Sequence, residues 1–410
     1  MSVSEWREVT LGDVCDSVSN THPFEKAKLI FLNTSDVYDG SILHNNYSPV
    51  AEMPGQAKKS IKKGDILYSE IRPKNKRYAM VNFDASDYVV STKFMVIRSN
   101  GLIVNKFLYL YLTSNEVLET LQQVAEARSG TFPQITFSQV AELKLNLPPI
   151  PEQKAIAATL SVLDDMIELN NQINKTLEEM AQAIFKSWFV DFEPFKDGEF
   201  EESEIGPIPK GWKVGMLGDF VEIVDNRGKT PPLSDVKTEY PIIDVRALSG
   251  ESRVIDYSNC TKYVEKEIYD SWFRSGHPKH LDILISTVGS IAEMKMFYGN
   301  KGCIAQNVVA FRSNGISPCY LYQYLQYSKG DLLSYNIGSV QPSIKVTHVI
   351  KYKIIVPDEK TMSSFDMLME SISDQIHRNA NESQILIAIR DTLLPKLISG
   401  EIRVPVEEVV

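Results

Sequence analysis

One long helical signature occurs twice in this chain, and that repeat constrains the fold more than any other feature. Residues 152–188 hold no glycine or proline and are flanked by both, so they predict a single helix. Ile156, Leu163, Asn170, Leu177 and Ile184 recur every seven residues, with Thr159, Met166, Ile173 and Met180 three residues after the first four. This is the a and d pattern of a coiled coil, with Asn170 as a polar a residue. Phe365, Ile372, Asn379, Leu386 and Leu393 repeat the series 209 residues later, because 365 − 156, 379 − 170 and 393 − 184 agree. The polar layer returns with the apolar ones, which marks an internal duplication rather than two unrelated amphipathic helices.

The segments before each helix carry a second, looser repeat. Residues 1–148 contain the strand-like runs KLIFLNTSDV, GDILYS, YAMVNF, YVVSTKFMVIR and AELKLNLP, and one helical run, NKFLYLYLTSNEVLETLQQVAEA. Residues 211–356 return its landmarks: Trp6 and Leu11-Gly12-Asp13 become Trp212 and Leu217-Gly218-Asp219, GDIL becomes LDIL, VIRSNG becomes AFRSNG, and SGTFPQI becomes GSVQPSI. The offsets drift between 206 and 217, so a frame is kept while the loops change, as expected for two binding domains with different targets. The class is mixed α/β (α+β). Two similar globular domains, 1–148 and 211–356, alternate with helices at 149–190 and 357–397, joined by an acidic linker at 191–210 and followed by a tail at 398–410. The second helix is expected to run from about Lys360 to Leu394 and to stop at Pro395.

The net charge of −10 argues against nucleic acid until it is divided along the chain. Residues 1–148 hold 16 basic and 16 acidic side chains and residues 211–356 hold 17 and 14, whereas 149–210 hold 5 and 13 and 357–410 hold 5 and 10. Acidic helices repel phosphate and favour a protein partner, leaving the globular parts free to carry basic patches. No apolar run reaches the ~18 residues of a membrane span and the N-terminus has no leader pattern, so the expected location is cytoplasmic. Cys15, Cys260, Cys303 and Cys319 are scattered without a CxxC pair, which speaks against a disulfide framework or a zinc site.

Taken together, LPPIPEQKAIAATLSVLDDMIELNNQ, AIFKSWFVDFEPF, SEIGPIPKGWKV and LLPKLISGEI resemble the specificity subunits of type I restriction-modification enzymes, over essentially the whole chain. The resemblance implies a noncatalytic DNA reader. Two target-recognition domains would each read one part of a split duplex sequence, two long antiparallel helices would hold them apart, and two methyltransferase subunits would assemble on the helices. S-adenosylmethionine and adenine methylation would belong to those partners, and a restriction and translocase subunit would join for cleavage. No cofactor or metal is expected in this chain. A helix spanning 152–188 would be about 55 Å long and would act as a ruler for the gap between half-sites. Antiparallel pairing about a pseudo-twofold axis would bring Asn170 and Asn379 together at its centre.

Polar and basic loop residues are the candidate DNA contacts. In the first domain these are Ser69, Arg72, Lys74, Lys76 and Arg77 after GDILYS, with Ser129, Gly130, Thr131 and Gln134. In the second they are Arg227 and Lys229, Ser286, Thr287, Ser290 and Lys295, and Ser339, Gln341 and Lys345. Arg and Lys reach phosphates or guanine edges, and Gln can pair with adenine. Two other function classes compete. Asp282 followed by Glu293-Met294-Lys295 has the spacing of a metal-dependent restriction nuclease, although the first copy lacks the second carboxylate. A coiled-coil scaffold bearing two protein-binding domains would explain the heptads but not the shared frame. His277 and His280 near Cys260 lack a fourth ligand for a metal.

Overall fold

The computed structural model describes residues 6–127, 133–299, 301–338 and 340–405. The chain packs as two compact units, residues 1–166 with 385–410, and residues 167–384. The long helices are Ile150–Phe189 and Glu359–Ser399, and each unit holds one part of each.

In the first unit Arg7–Thr10 pairs antiparallel with Lys144–Leu147, closing the segment that leads into the first long helix. Between these strands lies an antiparallel sheet in the order Cys15–Val18, Phe94–Ser99, Ile66–Ser69, Tyr78–Met80. A second, mixed sheet orders Tyr47–Pro49, Lys28–Leu32, Tyr88–Ser91 and Ala57–Ser60, with its two central strands parallel. Phe107, Leu108, Leu112, Leu118 and Leu121 pack with Ile156 and Leu160 of the long helix in one core. The run expected as one helix over 105–127 is two, Asn105–Leu112 and Asn115–Ala127. Ser114 divides them: its hydroxyl donates to the Tyr111 carbonyl at 2.8 Å and accepts from the Val117 N–H at 3.4 Å, competing with the helical ladder.

The second unit repeats that frame strand for strand. Lys213–Met216 pairs with Lys353–Val356, and the sheet runs Val221–Val224, Val308–Ser313, Ile283–Ser286, Met294–Met296, again antiparallel. Residues 225–281, which stand where the first unit builds much of its second sheet, form short turns and one helix, Lys266–Ser271. Frame contacts repeat as well. Buried Asp65 is held by Arg98 at 2.7 and 2.8 Å, and buried Asp282 by Arg312 at 3.1 and 2.8 Å. Trp6 Nε1 donates to Glu152 at 2.9 Å and Trp212 Nε1 to Asp358 at 3.0 Å, placing an indole against a carboxylate at the start of each long helix.

The helix seam departs from expectation in three ways. The a positions of both helices are buried or half-buried, but their companions lie four residues on rather than three: Leu160, Ile167, Asn174 and Ala181, then Met369, Ile376, Ser383 and Leu397. Thr159 is exposed, as are Met166 at 40%, Ile173 at 39% and Met180 at 47%. Steps of three and four flank an a residue on opposite sides, and here the line four residues on is the inner one, although it carries Asn174, Ser383 and half-buried Arg390. Second, Asn379 does not meet Asn170. In the second unit its Nδ2 donates to Asn174 Oδ1 at 2.9 Å, while Asn170 Nδ2 donates to Glu382 at 3.0 Å, so the register is shifted by about one turn. Third, Pro395 lies inside the second helix, which continues to Ser399. Proline removes one ladder bond there, but buried Leu397 and Ile398 anchor the last turn in the core.

The acidic stretch 191–210 is more than a connection. It folds into a turn at Glu193–Phe195 and a hairpin of Phe200–Ser203 with Gly206–Pro209. Phe192 and Phe195 pack on Trp212, with ring centroids 5.7 and 4.9 Å away, and Ile208 is buried in the second unit's core. No described helix is long and apolar enough to cross a membrane.

Candidate nucleic-acid interface

Each unit joins two candidate loops by the same three backbone connections. In the first, Ile71 bridges Gln134, the Arg72 N–H donates to the Pro133 carbonyl at 3.2 Å, and the Ile135 N–H donates to the Glu70 carbonyl at 2.8 Å. In the second, Val288 bridges Ser343, Gly289 donates to Pro342 at 2.9 Å, and Ile344 donates to Thr287 at 2.9 Å. Residues far apart in sequence thus become one edge, located where the central strands Ile66–Ser69 and Ile283–Ser286 end.

On the first unit's edge, Pro73–Asn75 forms a single 3-10 turn between Arg72 and Lys76, both in the left-handed region at φ 45° and 52°. That bend turns a strand end outward and exposes Arg72 and Lys74. Lys74 pairs with Glu119 at 2.8 Å and Lys76 with Asp39 at 3.1 Å, and Arg77 reaches Thr34 Oγ1 at 3.4 Å. Exposed ion pairs contribute under ~1 kcal/mol, so phosphates can displace them. Gln134 is half-buried beside this cluster. Ser69 is buried, and its hydroxyl accepts the Ile71 N–H at 3.1 Å, shaping the turn rather than facing solvent. Ser129, Gly130 and Thr131 lie outside the described residues, as does Ser339 in the second unit.

The second unit's edge corrects more of the expected contacts. Ser286, Thr287 and Lys295 are buried. Thr287 Oγ1 donates to the Asn307 carbonyl at 3.1 Å, and Ser286 Oγ accepts the Glu293 N–H at 2.8 Å. Lys295 Nζ donates inward to the carbonyls of Gly250, at 2.8 Å, and Ser252, and burial pulls its pKa down to about 8. These side chains are buried and build the edge instead of lying exposed on it. Ser290, Gln341, Lys345 and Lys229 are exposed. Arg227 is half-buried, clamped by Asp225 at 2.6 and 2.9 Å and 3.4 Å from Thr287 Oγ1. Its carbonyl accepts from Arg274 at 2.9 Å, which adds an exposed cation that sequence spacing, 47 residues distant, could not reveal.

The nuclease arrangement is taken apart by the same contacts. Asp282 is occupied by Arg312, Glu293 pairs with Lys329 at 3.2 Å, and Lys295 points to backbone carbonyls. Among the described residues no group of three His, Cys, Asp or Glu side chains is placed to hold a metal. His277 lies flat on Tyr269, ring centroids 3.7 Å apart, with Nε2 2.9 Å from the Tyr269 carbonyl. The four cysteines are free and buried, and burial pushes Cys15, Cys260 and Cys303 up to about 12. Such thiols are inert at neutral pH.

The family model for the type I restriction modification DNA specificity domain matches twice, over residues 3–179 and 209–382. The chain belongs to that family. It is 32% identical to the type I restriction enzyme HindI specificity subunit of Haemophilus influenzae, an alignment covering 98% of this chain and 100% of the relative. It is 28% identical to the MjaIX specificity subunit of Methanocaldococcus jannaschii, covering 75% and 71%. A type I restriction-modification S subunit from M. genitalium has a similar fold, with a TM-score of 0.50 at 16% identity over 97% and 96% of the two chains. The chain is therefore a DNA-target specificity subunit, a noncatalytic role, and its two family matches coincide with the two copies of the frame.

Proposed function

We propose that this specificity subunit reads a bipartite duplex target, each unit taking one half-site through its paired loops, and so directs adenine methylation and restriction by partner subunits. The observation that carries this reading is the pair of edges built by identical backbone connections but furnished with different side chains. On the first unit, Arg72, Lys74, Lys76 and Arg77 would take phosphates and base edges beside Gln134. On the second, Lys229, Arg274, Ser290, Gln341 and Lys345 would do so, with Arg227 held behind them.

Two methyltransferase subunits are the expected partners of the helices. Val162, Met166, Ile385 and Ile389 in the first unit, and Leu169, Ile173, Met180, Met367 and Leu368 in the second, leave apolar surface exposed on otherwise acidic helices. Such surface is suited to a protein rather than to phosphate. S-adenosylmethionine would be bound by those methyltransferases, and restriction subunits would complete the assembly. Binding of duplex DNA by the complex with its methyltransferase, followed from about 50 to 200 mM salt, tests this reading. Affinity falls steeply if phosphates are contacted, by a factor of ~10³ or more for six contacts. Absence of duplex binding by that complex would instead favour a protein scaffold.

A further inference from the structure

The largest fully buried side chain of the second unit is a cation that belongs neither to the shared frame nor to the exposed loops. Arg253 has 0% exposure. Its Nε and Nη2 donate to the two carboxylate oxygens of Glu178 on the first long helix at 2.9 and 2.7 Å, and its backbone N–H donates to the same group at 3.0 Å. Nη1 donates to Ser373 Oγ on the second long helix at 2.5 Å, and the guanidinium lies 5.0 Å from the Tyr322 ring centre. Burial opposes the charge, but the bond to Glu178 outweighs it and raises the pKa further. The guanidinium therefore stays charged.

Arg253 also continues toward the candidate DNA edge. Its carbonyl accepts the Met296 N–H at 2.8 Å, Val254 bridges Met296, and Lys295 holds the carbonyls of Gly250 and Ser252 from the same strand. That strand, Met294–Met296, pairs with Ile283–Ser286, and the turn between them carries Ser290. The connected path runs from two helices through Arg253 to the turn. The first unit has no arginine–glutamate fork at these positions. At the 209-residue offset the counterpart of Glu178 is Ile387, which has no charge to offer an arginine, and that of Ser373 is Asp164, which pairs with Lys106 at 3.2 Å and Arg390 at 3.1 Å.

An ion pair built on a fully buried guanidinium and a half-buried carboxylate is an inefficient way to gain stability, because apolar residues of similar volume often do as well or better. What it supplies is direction: a guanidinium fork fits its carboxylate in one orientation. We propose that Arg253 is a positioning residue that ties the variable segment 225–281 to both long helices and thereby sets the pose of the 287–292 turn and selectivity for the second half-site. This inference rests on the DNA-reading function proposed above.

The test maps methylated bases in DNA modified by the full complex carrying R253K, or the apolar double replacement R253M/E178L, alongside thermal melting. R253K keeps the charge but not the fork, and the double variant leaves no unpaired charge. The expected result is a complex that still melts cooperatively, keeps wild-type discrimination at the first half-site and loses about tenfold at the second, equivalent to ~1.4 kcal/mol. Unchanged discrimination at both halves in folded variants overturns the inference, as does an equal loss at both. If neither variant forms a folded complex, Arg253 is structural and the inference fails. A wild-type complex that modifies no bipartite sequence refutes the underlying reading instead.

Discussion

The two units share a frame strand for strand yet differ in the segments and side chains which that frame carries. Both keep the closing strand pair, the four-stranded antiparallel sheet, the buried Asp–Arg pair and the indole–carboxylate contact. Where the first inserts strands that build a second sheet, the second inserts turns, one short helix and an aromatic cluster of Tyr240, Tyr269 and His277. The retained elements are those whose loss would strand a buried charge or open a core. The divergent ones lie where the chain is free to vary without that cost.

The equivalence of the buried pairs is the first thing to break. Asp65→Ala and Asp282→Ala should each destabilise their own unit by about 3–5 kcal/mol, because each takes a buried carboxylate away from a half-buried arginine. Chemical denaturation monitored by hydrogen exchange in each unit reads this, and loss in one variant alone would deny that the pairs are equivalent. Next comes the seam. Leu160→Ala should cost ~2–5 kcal/mol, whereas Met166→Ala should stay within ~0.5 kcal/mol in the free subunit. Equal losses would restore the expected a and d face.

The smallest effect separates the units by pH. Lys295 has a folded pKa near 8, lowered first by burial and raised in part by Glu293 and Glu178, against an ordinary ~10.4 unfolded. Between those values the unfolded chain binds more protons, so the second unit gains stability as pH rises from about 8 to 10. A rise on the order of 1–2 kcal/mol that vanishes in Lys295→Met is expected from denaturant melts across that window. A slope unchanged by the substitution would show that Lys295 stays charged.

The duplication and the frame were legible because apolar and aromatic landmarks such as Trp6, Trp212 and the heptads recur at readable offsets. The inner seam was not. Asn174, Ser383 and Arg390 make its second line look polar, while Met166, Ile173 and Met180 make the exposed line look like core. The candidate edges were found from Arg72 and Gln134, but burial removed Ser69, Ser286, Thr287 and Lys295 from them. Partners supplied from distant sequence, such as Arg253 with Glu178 75 residues away, leave no local signal.

The most direct test of one frame carrying two readers is a segment exchange. Residues 213–356 are bounded by the paired strands Lys213–Met216 and Lys353–Val356, so they can be replaced by the matching segment of a relative whose own motif is mapped by the same methylated-base sequencing. The first half of the recognised sequence should remain and the second should become the donor's. A change in both halves, or in neither, would contradict independent readers on a common frame.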